Sequence, residues 1–188
     1  LSFLALSIAG FYLFIGRIYR IDVLGSIILP VVSVLLISAA TFPGQIGPIP
    51  PVLKSYWLPI HTIFAFLGHA IFFVSFVISL AYLVLERSIK KKRMPAVSRR
   101  LPSLDVLDSV NYRCMSIGFP FLTVGIISGS IWAGFAWGAY WSWDPKETLS
   151  LITWIVYAIL LHNRLTIGWR GRKTAYLMIL GFLFIILT

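Results

Sequence analysis

The chain alternates six apolar blocks with short polar or proline-rich stretches. The blocks cover about residues 1–16, 22–42, 58–86, 114–134, 147–164 and 174–188, almost without charge inside them. A helix needs about 20 apolar residues to cross about 30 Å of hydrocarbon. Backbone polar groups in lipid must pair within their own segment, so each block predicts a membrane-crossing helix. An outer-membrane barrel would instead alternate apolar and polar residues over strands of about ten residues. The expected fold is all-α, a polytopic membrane bundle with about six transmembrane helices.

Composition agrees. Of 188 residues, 59% are hydrophobic and only 12% charged, with a mean hydropathy of +0.92, which excludes a soluble globular domain. The chain starts at Leu1 rather than Met, and its last apolar block still runs at Thr188, so it reads as a fragment. Its first block has no basic leader or small-residue cleavage site and reads as a shortened span, not a signal peptide. Cys114 is the single cysteine, which rules out a disulfide framework, a CxxC pair or a cysteine-built metal site within the chain. Thiol chemistry would therefore have to involve a partner.

Charge sets the expected orientation. Alternating connectors put Arg17, Arg20, the basic residues from Arg87 to Arg113, and Arg164, Arg170, Arg172 and Lys173 on one side, leaving only Lys54 and Lys146 on the other. Fourteen of sixteen basic residues on one side marks that side as cytoplasmic, or stromal in a plastid. The net charge of +10 also fits a nucleic-acid binder, but these cations sit at membrane edges with no soluble domain to present them, so no nucleic acid is expected.

The connectors carry local signals. Residues 43–57 hold four prolines and two glycines and read as an ordered loop on the outer surface. Pro59 suits the first turn of the third helix, with His61 just after it at the outer boundary. Ser103 is positioned to cap a short interfacial helix whose Leu104, Leu107 and Val110 share a face. The basic run 87–100 reads as a solvated loop. Gly125 and Gly129 form a small-xxx-small pair and read as helix packing.

The densest chemical signal is WAGFAWGAYWSWDPKE at 132–147. Trp132, Trp137, Trp141 and Trp143 are four of the chain's seven tryptophans. An interfacial aromatic belt would scatter them over both surfaces, whereas here they gather on the outer one. In a helical turn Trp137, Tyr140 and Trp141 would share one face, and Gly134 and Gly138 would let something broad and flat approach the backbone. A planar macrocycle suits such a face; packing against the protein's own helices would look the same. Asp144, Pro145 and Glu147 read as N-cap, first-turn proline and capping box of the fifth span. Imidazole ligates haem iron well, and ionisable groups within membranes usually have a function. His61 lies on the side of the tryptophans. His162 lies about 15 residues past Glu147, roughly 22 Å away, on the wrong side to share that site.

The stretch from NYRC at 111 to WRGRK at 173, with WLPIH at 57–61, resembles the CcsA/ResC family of cytochrome c biogenesis proteins. Its WGxYWSWDPKET and following LHxR are highly specific. The likeness covers about the C-terminal two thirds, and the first two spans match only in hydropathy. It implies two regions: 1–56, N-terminal transmembrane helices and outer loop, and 57–188, a haem-handling tryptophan-rich membrane domain truncated at its C-terminus. It further implies that haem b is moved to the outer face and attached to the CxxCH thiols of apocytochrome c, with a CcsB/ResB-type membrane partner. His61 matches the family's outer axial ligand, with the haem held by the face that includes Trp132, Trp137, Trp141, Trp143 and Asp144. His162 matches its transmembrane histidine on the haem entry route, whose partner histidine comes from the CcsB component. A second outer histidine is expected beyond Thr188. His69 stands where the family often has Tyr, and no ligand role is carried to it.

Gly134 and Phe135, together with Leu149 and Ser150, depart from plastid usage, so a bacterial plasma membrane is expected ahead of a thylakoid membrane. A CcmC or CcmF type haem protein is the nearest alternative, and a small-solute transporter the alternative from another class. Interrupted helices with paired charges at mid-membrane would mark the transporter. No nucleophile or general base is evident, so thioether formation is assigned to the family's complex and not to a catalytic residue of this chain.

Overall fold

The computed structural model describes residues 1–41 and 50–188. The loop expected over 43–57 therefore lies outside the described residues as far as residue 49, as does the end of the second apolar block. The described α-helices are α1 (Ser2–Tyr19), α2 (Gly25–Thr41), α3 (Trp57–Lys90), α4 (Ala96–Arg100), α5 (Leu104–Trp137), α6 (Pro145–Thr166) and α7 (Arg172–Leu187), with 3-10 turns at Asp22–Leu24 and Pro51–Lys54. The fold is the expected all-helical membrane bundle. Among the described residues five helices are long and apolar enough to cross a membrane, namely α1, α2 with its leading 3-10 turn, α3, α5 and α6. The sixth block forms α7, 16 residues that run to the last turn of the sequence.

α3 and α5, each 34 residues long, form the antiparallel spine. Small residues bring their backbones together. A Cβ on Gly68 would lie 3.2 Å from the Leu122 nitrogen, and one on Gly125 would lie 3.2 Å from the Ala65 nitrogen. The packing role expected of Gly125 is thus borne out, and the close approach suits helix association where lipid supplies no hydrophobic contrast. Lower on the same interface, Ser75 donates to Asn111 Oδ1 at 2.7 Å, and Asn111 Nδ2 donates to Ser79 Oγ at 3.0 Å. Ser79 Oγ in turn donates to the Ser75 carbonyl at 2.9 Å. All three residues are buried, and mutual pairing removes the penalty of unpaired polar groups in an apolar bundle.

α1 and α2 pack on one flank of this spine, where Ile8, Ile15, Ile28, Val74, Ile78 and Leu107 share a core. α6 and α7 cover the other flank. There Phe72 stacks on Tyr157 at 3.8 Å and Phe76 on Phe182 at 4.8 Å. Two ends result. Trp132 meets Val52 at one, while Arg164 meets Asp108 and Arg172 approaches Glu86 at the other.

Two local expectations change. Ser103 caps its helix as expected, accepting from the Val106 N–H at 3.4 Å. That helix continues as α5 through Pro120 to Trp137 instead of ending as a separate interfacial piece. The basic run 87–100 is only partly a solvated loop: it contains the end of α3 and all of α4, and buried Ser98 lies 3.0 Å from Ser88 Oγ.

Candidate functional site

The tryptophan-rich end is built by a helix stop, a turn and a new helix. α5 ends at Trp137 because Gly138 adopts φ +76°, a left-handed conformation glycine accepts without strain, and donates to the Gly134 carbonyl at 3.1 Å. Trp137, Tyr140 and Trp141 therefore do not share a helical face, contrary to the spacing argument. The rings instead form edge-on pairs, Trp132 with Trp137 at 6.2 Å and Trp141 with Trp143 at 5.8 Å. Nor does Gly134 open the backbone to a ligand. A Cβ there would lie 2.6 Å from the Tyr140 ring, so the space belongs to Tyr140, whose carbonyl accepts from Ser130 Oγ at 2.6 Å.

The turn nonetheless presents aromatic surface. Phe135, Trp137, Tyr140 and Trp143 are 66–71% exposed, far more than rings recruited for internal packing. Trp141 is half-buried, and its indole Nε1 is buried with no hydrogen-bond partner among the described residues. Asp144 caps α6 as read from the sequence, accepting from the Glu147 N–H at 2.7 Å, with Pro145 in the first turn. Glu147 does not complete a capping box. Its Oε2 accepts from the Ser142 N–H at 2.7 Å and from Ser142 Oγ at 3.2 Å, tying down the strand of chain before the cap. Trp143, at φ +59°, makes the turn between them.

His61 sits at the same end. α3 begins at Trp57, two residues ahead of Pro59, so His61 is in the second turn and not the first. Its Nδ1 lies 2.7 Å from the Gly125 carbonyl oxygen. A carbonyl can only accept, so Nδ1 carries the donated proton. The ring occupies a recess left by Gly129, where a Cβ would come within 2.7 Å of both Cε1 and Nδ1. Gly129 thus makes room for an imidazole more than for a backbone. Gly125, Gly129 and Trp132 follow one another at i, i+4 and i+7 along the face of α5 turned to α3, so His61 and Trp132 are about a turn apart. The fold brings His61, Trp132 and Trp137 into one neighbourhood, with Trp141, Trp143 and Asp144 on the segment that follows.

His162 lies elsewhere. It is near the opposite end of α6, 17 residues or about 26 Å beyond Pro145. Its side chain is exposed and continues a stripe formed by Ile152, Ile155 and Ile159, all exposed on α6. His69, further along α3, is half-buried with its ring edge-on to Phe66 at 6.5 Å. Among the described residues no three His, Cys, Asp or Glu side chains gather as a metal cage.

One cluster went unread in the sequence. Near His162, Arg164 pairs with Asp108 of α5, and both border a cavity of about 680 Å³ lined also by Tyr82, Tyr112 and Arg170. The signal was present: a carboxylate in an apolar helix and an arginine in LHxR each demand a partner.

Comparison with known proteins gives this arrangement a lineage. The model of the cytochrome C assembly protein family matches residues 1–188. The cytochrome c biogenesis protein CcsA of Chlamydomonas reinhardtii is 44% identical over 165 residues, covering 85% of this chain and 45% of that protein. The protein of the same name from Mesostigma viride is 36% identical over 210 residues, covering 98% of this chain and 68% of its own. That of Crocosphaera subtropica is 32% identical over 237 residues, covering 97% and 71%. The chain thus spans from under half to about seven tenths of these relatives' lengths. Matched from its first residue to its last, on a bundle of apolar helices that closes in a tryptophan-rich turn, the chain belongs to the cytochrome c assembly protein family.

Proposed function

We propose that this chain takes part in cytochrome c biogenesis by handling haem b as cargo and presenting it, at the tryptophan-rich end, for attachment to the CxxCH thiols of apocytochrome c. The observation that carries this reading is the His61 imidazole, held through Nδ1 by the Gly125 carbonyl so that Nε2 is left for another bond. The residues fit such a cargo. A neutral imidazole nitrogen is a ligand for haem iron, exposed indole rings offer flat apolar surface, and the buried Trp141 N–H lacks an acceptor that a propionate carboxylate would supply. Haem would bring the electrophilic vinyl groups. The chain's own part is to bind, orient and shield, since its single thiol, Cys114, is buried inside the bundle.

The tryptophan-rich end is read as the outer face and the arginine-rich end as the cytoplasmic or stromal one, in a bacterial plasma membrane or a thylakoid membrane. An imidazole on a lipid-facing stripe is costly. The exposed face of α6 carrying His162 is therefore assigned to a CcsB/ResB-type partner, with His162 on the haem entry route. The transporter alternative anticipated interrupted helices with charges at mid-membrane. α2 and α5 instead run unbroken through Pro30 and Pro120, and the Arg164–Asp108 and Arg172–Glu86 pairs lie at the arginine-rich end.

The test is the visible spectrum of the purified protein loaded with haemin. His61→Ala should abolish the imidazole-ligated Soret and α/β bands, and added imidazole should restore them. An unchanged spectrum in His61→Ala would remove His61 from the site and with it this reading.

A further inference from the structure

We propose that Gly125 and Gly129 are positioning residues that fix the tautomer and orientation of the His61 ring before any ligand arrives. Only the use of the free nitrogen rests on the haem reading; the orientation itself follows from the packing of α3 on α5.

Three observations converge. The Gly125 carbonyl lies 2.7 Å from His61 Nδ1, a distance at which it must accept a hydrogen bond from that nitrogen. In the neutral ring this selects one tautomer, with the lone pair on Nε2. Second, the ring is confined: at Gly129 a single methyl would sit 2.7 Å from Cε1 and Nδ1, closer than real carbon contacts allow. Third, the helices cannot move apart to relieve such a clash without losing the packing around it. One turn along, a Cβ on Gly125 would already be 3.2 Å from the Ala65 nitrogen and 3.3 Å from its Cα. Ser128 Oγ donates its one proton to the Val124 carbonyl at 2.6 Å and reaches the Gly125 carbonyl only at 3.1 Å, so the imidazole is the shorter side-chain partner of the Gly125 oxygen.

The small-xxx-small pair that reads as packing glue is thus asymmetric in function. Gly125 lets the backbones meet and offers its carbonyl, while Gly129 gives up its side-chain volume to an imidazole. Neither glycine touches cargo; both act through His61.

The tautomer can be read without haem. In the detergent-purified, haem-free chain labelled with 15N-histidine, with His69→Gln and His162→Gln to simplify the spectrum, His61 should show a protonated Nδ1 and an unprotonated Nε2. Gly129→Ala should shift this pattern toward a mixture of tautomers. Haemin titration gives the second readout. Gly129→Ala should weaken haemin binding about 10- to 100-fold, the range for loss of a ligand's supporting partner, but cost nothing more in a His61→Ala background. A protonated Nε2 in the parent chain, or an equal loss from Gly129→Ala with and without His61, would overturn the positioning role. A protonated Nδ1 in a chain whose haemin binding survives His61→Ala would uphold the orientation and sink the haem reading instead.

Discussion

Arg164 grips Asp108 with both prongs of its guanidinium, at 2.7 and 3.1 Å, across the joint between α6 and α5. The same arginine donates to the Trp169 carbonyl at 2.8 Å, and Asp108 also accepts from the Gly171 N–H at 2.7 Å. One ion pair therefore fixes the end of α6, the loop to α7 and the start of α5 together. With side chains only 9% and 13% exposed, both charges are largely withdrawn from solvent.

Breaking this pair from one side should be severe. Asp108→Ala or Arg164→Ala should each destabilise the protein by about 3–5 kcal/mol, because each leaves an uncompensated buried charge. The double variant should lose markedly less than the sum, as neighbours in one network do. Unfolding in SDS titrations would measure this, and strict additivity would mean that the two side chains act independently.

Tryptophans of the turn should separate from those of the core. Trp137→Ala and Trp143→Ala, at 71% and 69% exposed, should leave thermal stability nearly unchanged while lowering haemin retention. Trp154→Ala should do the opposite, costing about 3 kcal/mol. Its indole donates to Thr123 Oγ1 at 2.9 Å and its ring packs on Phe119. Loss of stability without loss of haemin retention at Trp137 and Trp143 would assign those rings to packing.

Asp144 is a cap, so its replacement should follow the rules for caps. Asp144→Ala should cost about 1 kcal/mol and Asp144→Asn little, because the amide oxygen can still accept from the Glu147 N–H. Differential scanning fluorimetry of both variants would decide. A large loss in Asp144→Asn would point to a need for the charge itself.

Orientation is open to cysteine labelling. Lys54 and Lys91 are exposed at opposite ends, and buried Cys114 gives no background. With an impermeant maleimide on intact cells, Lys54→Cys should label and Lys91→Cys should label only after lysis. The reverse pattern would invert the proposed topology.

Much of the molecule was legible because its causes are local or solvent-imposed. Ser103 and Asp144 were readable as caps, since a cap depends on residues three positions away. The tryptophan-rich turn was misread for a similarly local reason: Gly138 ends α5 before Tyr140, and a 3.6-residue period carried past that stop placed three rings on a face that does not exist.

By itself the sequence determined where the helices lie, which of their ends gather the cations, and which segment carries the aromatic residues. Hydrocarbon demands contiguous apolar runs, and flanking charges cannot enter it. Only the tertiary structure decided what the polar groups do. His61 finds its acceptor 64 positions away and Asp108 its arginine 56 positions away. No local pattern encodes such partners. They are chosen when glycines let α3 and α5 approach closely enough for a carbonyl of one helix to hold an imidazole of the other.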